Sequence, residues 1–174
     1  MRVVEAKANW LLRVSQRVAV PFAAMFVAVV YAQAVWGVIP GIRDPVSRLL
    51  AVGMDDVVAD LENLRSQTHA DAVLTTSYAL TGWFSFYLPS HVPVVQINER
   101  ARYLDEPQPD SSLFKGALLY VTEMRNDQSA VLARRFSEVV PLAHVVRSRN
   151  GVTMDQYAVY RVSGVKGDPL DQGR

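Results

Sequence analysis

Apolar positions near the start of the chain run together instead of alternating. "VAVPFAAMFVAVVYAQAVWGVIP", Val18 to Pro40, is apolar on every side of a helix, and Val18 to Ile39 contains no charged residue. At about 1.5 Å of rise per residue, such a run crosses a hydrocarbon core of roughly 30 Å. Pro21 is expected in the first turn, where its missing N–H costs little. Tyr31 and Trp36 lie toward the far end, as interfacial aromatics do. Pro40-Gly41 is expected to stop the helix. The competing reading is a buried helix of a soluble protein. A signal peptide fits less well, because the apolar run is long and its basic flank extended. Before the span, Val3, Val4, Trp10, Leu11, Leu12 and Val14 are interrupted by charges. That segment reads equally as an interfacial helix or as the end of something upstream.

After the span the period changes. Asp55 or Asp56 is expected to cap a helix through about Thr68, with Val57, Val58, Leu61 and Leu64 on one face. "DAVLTT" reads as a short buried strand. Thr76 or Ser77 is the expected N-cap of a helix in which Leu80, Trp83, Phe84 and Tyr87 form one apolar stripe and which Pro89 ends. "VPVVQIN" is a second strand, reached by a parallel crossover. "ERARYLDEPQPDSS" is a polar, proline-bearing loop and "LFKGALLYVTE" a third strand. "NDQSAVLARRF" is a capped helix with Val131, Leu132 and Phe136 inward. "EVVPLAHVVRS" and "MDQYAVYRV" flank "RNGV", whose Asn150-Gly151 signals a hairpin.

The fold class is therefore α/β. One N-terminal transmembrane helix precedes a small mixed-sheet α/β domain of order αβαββαββ with a C-terminal β-hairpin. The expected division is 1–17 cytoplasmic or interfacial, 18–39 transmembrane, 40–54 linker, 55–165 extracytoplasmic domain and 166–174 flexible tail.

Charge adds direction. Arg2, Lys7, Arg13 and Arg17 precede the span and Arg43 and Arg48 follow it, so the N-terminus is expected in the cytoplasm. Over all 174 residues the formal charge is +1, which leaves no basic footprint for nucleic acid. Cysteine is absent, which excludes disulfides, zinc–thiolate sites and Cys nucleophiles. No Gly-rich phosphate loop, nucleophile elbow or His-Glu zinc motif occurs. His69, His91 and His144 lack ligand spacing, and Asp55-Asp56 reads as a cap before it reads as a catalytic pair. No cofactor or metal is expected.

Two places remain for chemistry. One is the crest after the first strand, Thr75, Thr76, Ser77 and Tyr78. The other is the end of the second strand, Asn98, Glu99, Arg100, Arg102 and Tyr103. A parallel crossover brings both to one end of the sheet, where ligands of open α/β sheets sit. Together they make a polar rim able to touch a sugar or a phosphate. The plainer alternative is that Thr76 or Ser77 only caps a helix while Glu99 and Arg100 are solvated.

The phrases "DPVSRLL", "ADAVLTTSYALTGWFSFYL", "PVVQINERARY", "GALLYVTE" and "RFSEVVPLAHVVRSRNGVTMDQYAVYRV", following an apolar helix, are similar to the C-terminal end of bacterial family 39 glycosyltransferases. These are multi-spanning relatives of aminoarabinose transferases and protein O-mannosyltransferases. The resemblance covers roughly residues 18 to 165. Gly53-Met54 departs from it, standing where relatives carry Gly-Trp. It implies a bacterial plasma-membrane location, a polyprenyl-phosphate sugar donor and an extracytoplasmic domain. The family's catalytic acid lies in a first extracytoplasmic loop that this one-span chain lacks, so no catalytic residue carries over. The expectation is a non-catalytic C-terminal portion, a truncated product or a split subunit. Its partners would be the bilayer, the remaining transmembrane part of the transferase, and a lipid-linked sugar or acceptor touching Thr76, Ser77, Tyr78, Glu99, Arg100 and Arg102. The alternative is a stand-alone membrane-anchored binding or interaction module.

Overall fold

The computed structural model describes residues 2–39, 41, 49–98, 100–103 and 107–170, of which 2–9, 11, 100 and 101 are described as backbone. The chain forms two compact units, one up to Ser47 and one from Arg48 onward. In the first unit, helix α1 (Arg2–Trp36) is continuous over 35 residues. The segment before Val18 therefore belongs to the same helix, consistent with its Glu5, Ala6, Lys7, Leu11, Leu12 and Arg13, all good helix formers. Pro21 consequently stands inside the helix and not in its first turn. The helix stops at Trp36, short of Ile39, because Gln33 folds back over its end. The Ile39 N–H donates to Gln33 Oε1 at 2.7 Å. Leu12–Trp36, which contains an 18-residue stretch of mean hydropathy 2.1, is long and apolar enough to cross a membrane.

The second unit is built on a five-stranded mixed sheet of order β2-β1-β3-β5-β4. Its strands are β1 (Ala70–Thr75), β2 (Val94–Gln96), β3 (Ala117–Glu123), β4 (Phe136–Arg149) and β5 (Val152–Val165). Strand β1 pairs in parallel with both β2 and β3, whereas β3–β5 and β5–β4 are antiparallel. Helices α2 (Met54–Thr68), α3 (Tyr78–Tyr87) and α4 (Ser129–Arg135) complete the order expected from the sequence. The "VPVVQIN" strand shrinks to three residues, and the polar loop after it contains short 3-10 turns at Arg100–Tyr103 and Ser111–Lys115. Leu113 to Lys115 thus belong to a turn and not to the third strand.

Alternation along the strands fills two cores. On the first face Val73, Leu119, Val121, Tyr157 and Val159 meet Val57 and Leu61 of α2 and Leu80 and Phe84 of α3. On the second face Ala72, Leu74, Leu118, Tyr120 and Val162 meet Phe114, Leu132 and Phe136. Val131, expected inward, is exposed, because the seven-residue α4 turns only Leu132 toward the sheet.

The helix ends differ from expectation in detail. The N-cap of α2 is Gly53, with Asp55 and Asp56 in the first turn, where they face the positive end of the helix dipole. Gly53 has φ 77°, and a Cβ there would lie 2.4 Å from Ser148 O, so the approach of β4 excludes a side chain. Ser77 occupies the N-cap of α3 without a side-chain capping bond. At the other end of α2, the Arg65 guanidinium donates to Glu62 (2.6 Å) and to Ala70 O (3.1 Å), and Ser90 Oγ donates to Glu62 at 2.8 Å. The bond from Arg65, more than any other cause, holds the Glu62 carboxyl below its ordinary pKa. The β4–β5 hairpin closes through Asn150 and Gly151, both at positive φ. Beyond β5 the Lys166 N–H donates to Arg135 O, and Arg135 Nη1 donates to Pro169 O at 3.0 Å, which ties the chain down as far as Leu170.

Trp83 has a second task. It is half-buried at the edge of the first core, and its ring lies 5.1 Å from the guanidinium carbon of Arg147, which is fully buried. Arg147 Nη2 approaches Asp155 Oδ2 at 3.9 Å, so the stripe of α3 covers a cation as well as apolar surface.

Phe84→Ala is expected to lower unfolding free energy by about 3–5 kcal/mol, the range for a large aromatic removed from a core. Phe86→Ala, on the outward side of the same helix, is expected to stay within about 0.5 kcal/mol. Urea unfolding of the two variants checks this; equal losses would mean that α3 packs through a different face.

Candidate functional site

Parallel pairing places the carboxyl ends of β1, β2 and β3 side by side. The chain leaves β1 through α3 toward β2, and leaves β3 through α4 toward β4 at the opposite end of the sheet. Neighbouring strand ends from which the chain departs in opposite directions open a crevice, the usual ligand position in such sheets.

The floor of this end is polar and bonded. Thr75 Oγ1 lies 2.6 Å from Thr81 Oγ1, and Thr81 Oγ1 donates to Ser77 O at 2.9 Å. Thr76 Oγ1 lies 3.2 Å from the Tyr120 hydroxyl, which reaches up from β3. The Tyr120 ring packs on that of Tyr160 at 5.8 Å, and the Tyr160 hydroxyl donates to Asp127 Oδ2. Thr122 Oγ1 donates to Asn126 O at 3.1 Å. Asn98 N–H donates to Gln96 Oε1 at 3.0 Å, and its side-chain amide donates to Gln128 Oε1. Thr75, Thr76, Gln96 and Thr122 are all buried.

Beside this floor, along α3 and the edge strand β2, runs a groove of about 700 Å³, within the size range of small-molecule sites. Tyr78, Thr81, Gln96, Tyr103 and Pro107 are among the residues lining it. Tyr78 and Tyr103 bring their ring centroids to 6.1 Å, and the Arg102 guanidinium carbon lies 5.6 Å from the centre of the Tyr78 ring. Two aromatic rings on the groove wall and a neighbouring cation thus meet.

Comparison with family models, with curated proteins and with solved structures gives no match. The site therefore has to be read from its own chemistry.

Of the residues that the sequence nominates, Tyr78 and Arg102 come together from the two expected segments. Thr76 is buried and serves the floor through Tyr120; Ser77 is half-buried at the start of α3. Glu99 and the Arg100 side chain lie outside the described residues. The three histidines fall apart, His69 at the C-cap of α2, His91 in the turn after α3 and His144 on β4. Sequence reasoning missed Tyr120, Asp127, Gln128 and Tyr160. Their only local signal is the polar "NDQ" after the third strand; the contacts that unite them cross thirty or more residues of chain.

Burial, ahead of any hydrogen bond, raises the Tyr120 hydroxyl pKa, with bonds to Thr122 and Thr76 acting the other way. Tyr160 is raised too, by burial first and then by its bond to the Asp127 carboxylate, which holds the phenolic proton. A group raised on folding stabilises the fold below its unfolded pKa, about 10 for tyrosine, and loses that contribution as pH climbs through the raised value. The urea midpoint is therefore expected to fall above about pH 10, and less steeply in Tyr120→Phe. Identical alkaline profiles in the two proteins would contradict the burial of that proton.

Proposed function

We propose that the chain is a membrane-anchored, non-catalytic part of a glycosyltransferase that uses a lipid-linked sugar, and that its groove contacts the carbohydrate or phosphate of donor or acceptor. The observation that carries this reading is the meeting of Tyr78 and Tyr103 on the groove wall with the Arg102 guanidinium beside the Tyr78 ring. Tyrosine faces stack on the C–H faces of a sugar ring while their hydroxyls stay wet. An arginine fork matches a phosphate through paired N–H donors. Gln96 and Thr81 line the same groove but are buried and bonded within the protein, so they shape its wall. An apolar helix long enough to span a bilayer agrees with a polyprenyl carrier as the source of the ligand. We place the N-terminus in the cytoplasm and the domain outside, on the balance of flanking basic residues.

A stand-alone binding module is the second reading. It is favoured by the unit from Arg48 onward, which has its own core on each face of its sheet. In-frame coding sequence for further spans upstream of Met1 decides for the transferase; a promoter and ribosome site directly before Met1 decide for the module.

Two measurements test the proposal. Full-length protein in detergent is expected to bind a short-chain prenyl-phosphate hexose. Arg102→Ala should weaken that binding about ten- to a hundredfold, the equivalent of about 1.5–3 kcal/mol for a hydrogen bond to a charged group. Unchanged affinity in both Arg102→Ala and Tyr78→Ala would remove the groove from the reading. A reporter fused after Leu170 should be active only as an extracytoplasmic enzyme; activity of a cytoplasm-only reporter there would reverse the orientation.

A further inference from the structure

Helices α2 and α3 pack on the same face of the sheet, yet they present opposite surfaces outward. Helix α2 exposes Asp55, Asp56 and Asp60. Helix α3, "YALTGWFSFY", has no charged residue along its length. Its exposed side consists of Tyr78, Ala79, Gly82, Ser85 and Phe86, with Phe86 76% exposed. Leu49, 75% exposed, borders the same groove as Tyr78, Gly82 and Ser85. An ordinary surface helix carries charge on its solvent face. Here that face is apolar and small between two projecting aromatics, with the Arg102 guanidinium beside the first of them.

We propose that this uncharged face of α3, together with Leu49, rests on the lipid surface, so that the groove opens among the headgroups. Three observations favour lipid as the occupant. The chain carries an apolar helix ending at Trp36, and only twelve residues separate Trp36 from Leu49, a connection of at most about 47 Å. The domain is thereby held within reach of a bilayer. Tyrosine and phenylalanine side chains suit the boundary between acyl chains and headgroups, where a ring is buried and a hydroxyl stays wet. Arginine beside Tyr78 suits the phosphate layer just above them. This inference rests on α1 lying in a bilayer and is independent of any glycosyl chemistry.

Because the sequence contains no cysteine, one introduced cysteine is a unique labelling site. Full-length protein is reconstituted in phosphatidylcholine–phosphatidylglycerol vesicles with a nitroxide at Phe26→Cys, Phe86→Cys, Gly82→Cys or Asp60→Cys. Nothing lies within 4 Å of a Cβ added at Gly82, so that variant fits the fold even if Phe86→Cys does not. Collision with oxygen, which partitions into lipid, is compared with collision with a water-soluble nickel chelate. The oxygen-to-nickel ratio at Phe86 and Gly82 should be severalfold above that at Asp60 and below that at Phe26, which lies deeper in the hydrocarbon. A ratio at Phe86 and Gly82 equal to that at Asp60 overturns the inference. Shielding of Phe86 and Gly82 from both reagents overturns it in favour of a protein contact. A water-exposed Phe26 overturns it together with the anchor, whereas a lipid-exposed Phe26 with water-exposed α3 sites leaves the anchor standing.

Discussion

Strand β1 is hydrogen-bonded along both edges and covered on both faces, and the rest of the domain is arranged around that constraint. Ala72, Val73, Leu74 and Thr75 are completely buried. Its partners β2 and β3 both run parallel to it, and parallel partners are reached only by crossovers, because a tight turn returns a chain antiparallel. Helix α3 supplies one crossover, and with α2 it seals the first face. The 3-10 turn carrying Phe114 and the short α4 seal the second. The long β4–β5 hairpin then docks antiparallel on β3 and completes the sheet.

The same constraint creates the site. Parallel strands align their carboxyl ends, and the chain must leave each end in its own direction. At β1 that departure uses threonines and a serine, which bond to one another and to Tyr120 without needing charge. The turn into α3 brings Tyr78 to the wall of the groove, and the short turn after β2 brings Arg102 and Tyr103 to meet it. Stability and the candidate site are thus consequences of one topology, although Tyr78 and Arg102 contribute to the groove more than to the core.

Much of the fold was legible because its signals are local. The helical stripe Leu80–Phe84, the alternation in β3 and the Asn150-Gly151 turn each reside within a few residues. Half of the candidate site was legible for the same reason, since Tyr78 opens the helix of one βαβ unit and Arg102 follows its second strand. The other half was not. Tyr120 and Tyr160 read as ordinary strand aromatics until β3 and β5 pair and stack them. Arg147 stands within the strand phrase "EVVPLAHVVRS" with no signal of its own, yet pairing with β5 and cover from Trp83 bury it. The caps of α2 and α3 went to Gly53 and to a Ser77 without a capping bond, because close approach of β4 and the threonine network outweigh local capping preference.

The dependence of the domain on β1 is open to direct measurement by native-state hydrogen exchange on the full-length protein. Amides of Ala72 to Leu74 and of Leu119 to Val121 should be the slowest in the domain, exchanging only with global unfolding, while those of β2 and the free edge of β4 open earlier. If instead the β4–β5 hairpin holds the slowest amides while β1 exchanges through local opening, the sheet is organised from its antiparallel half, and β1 is not its centre.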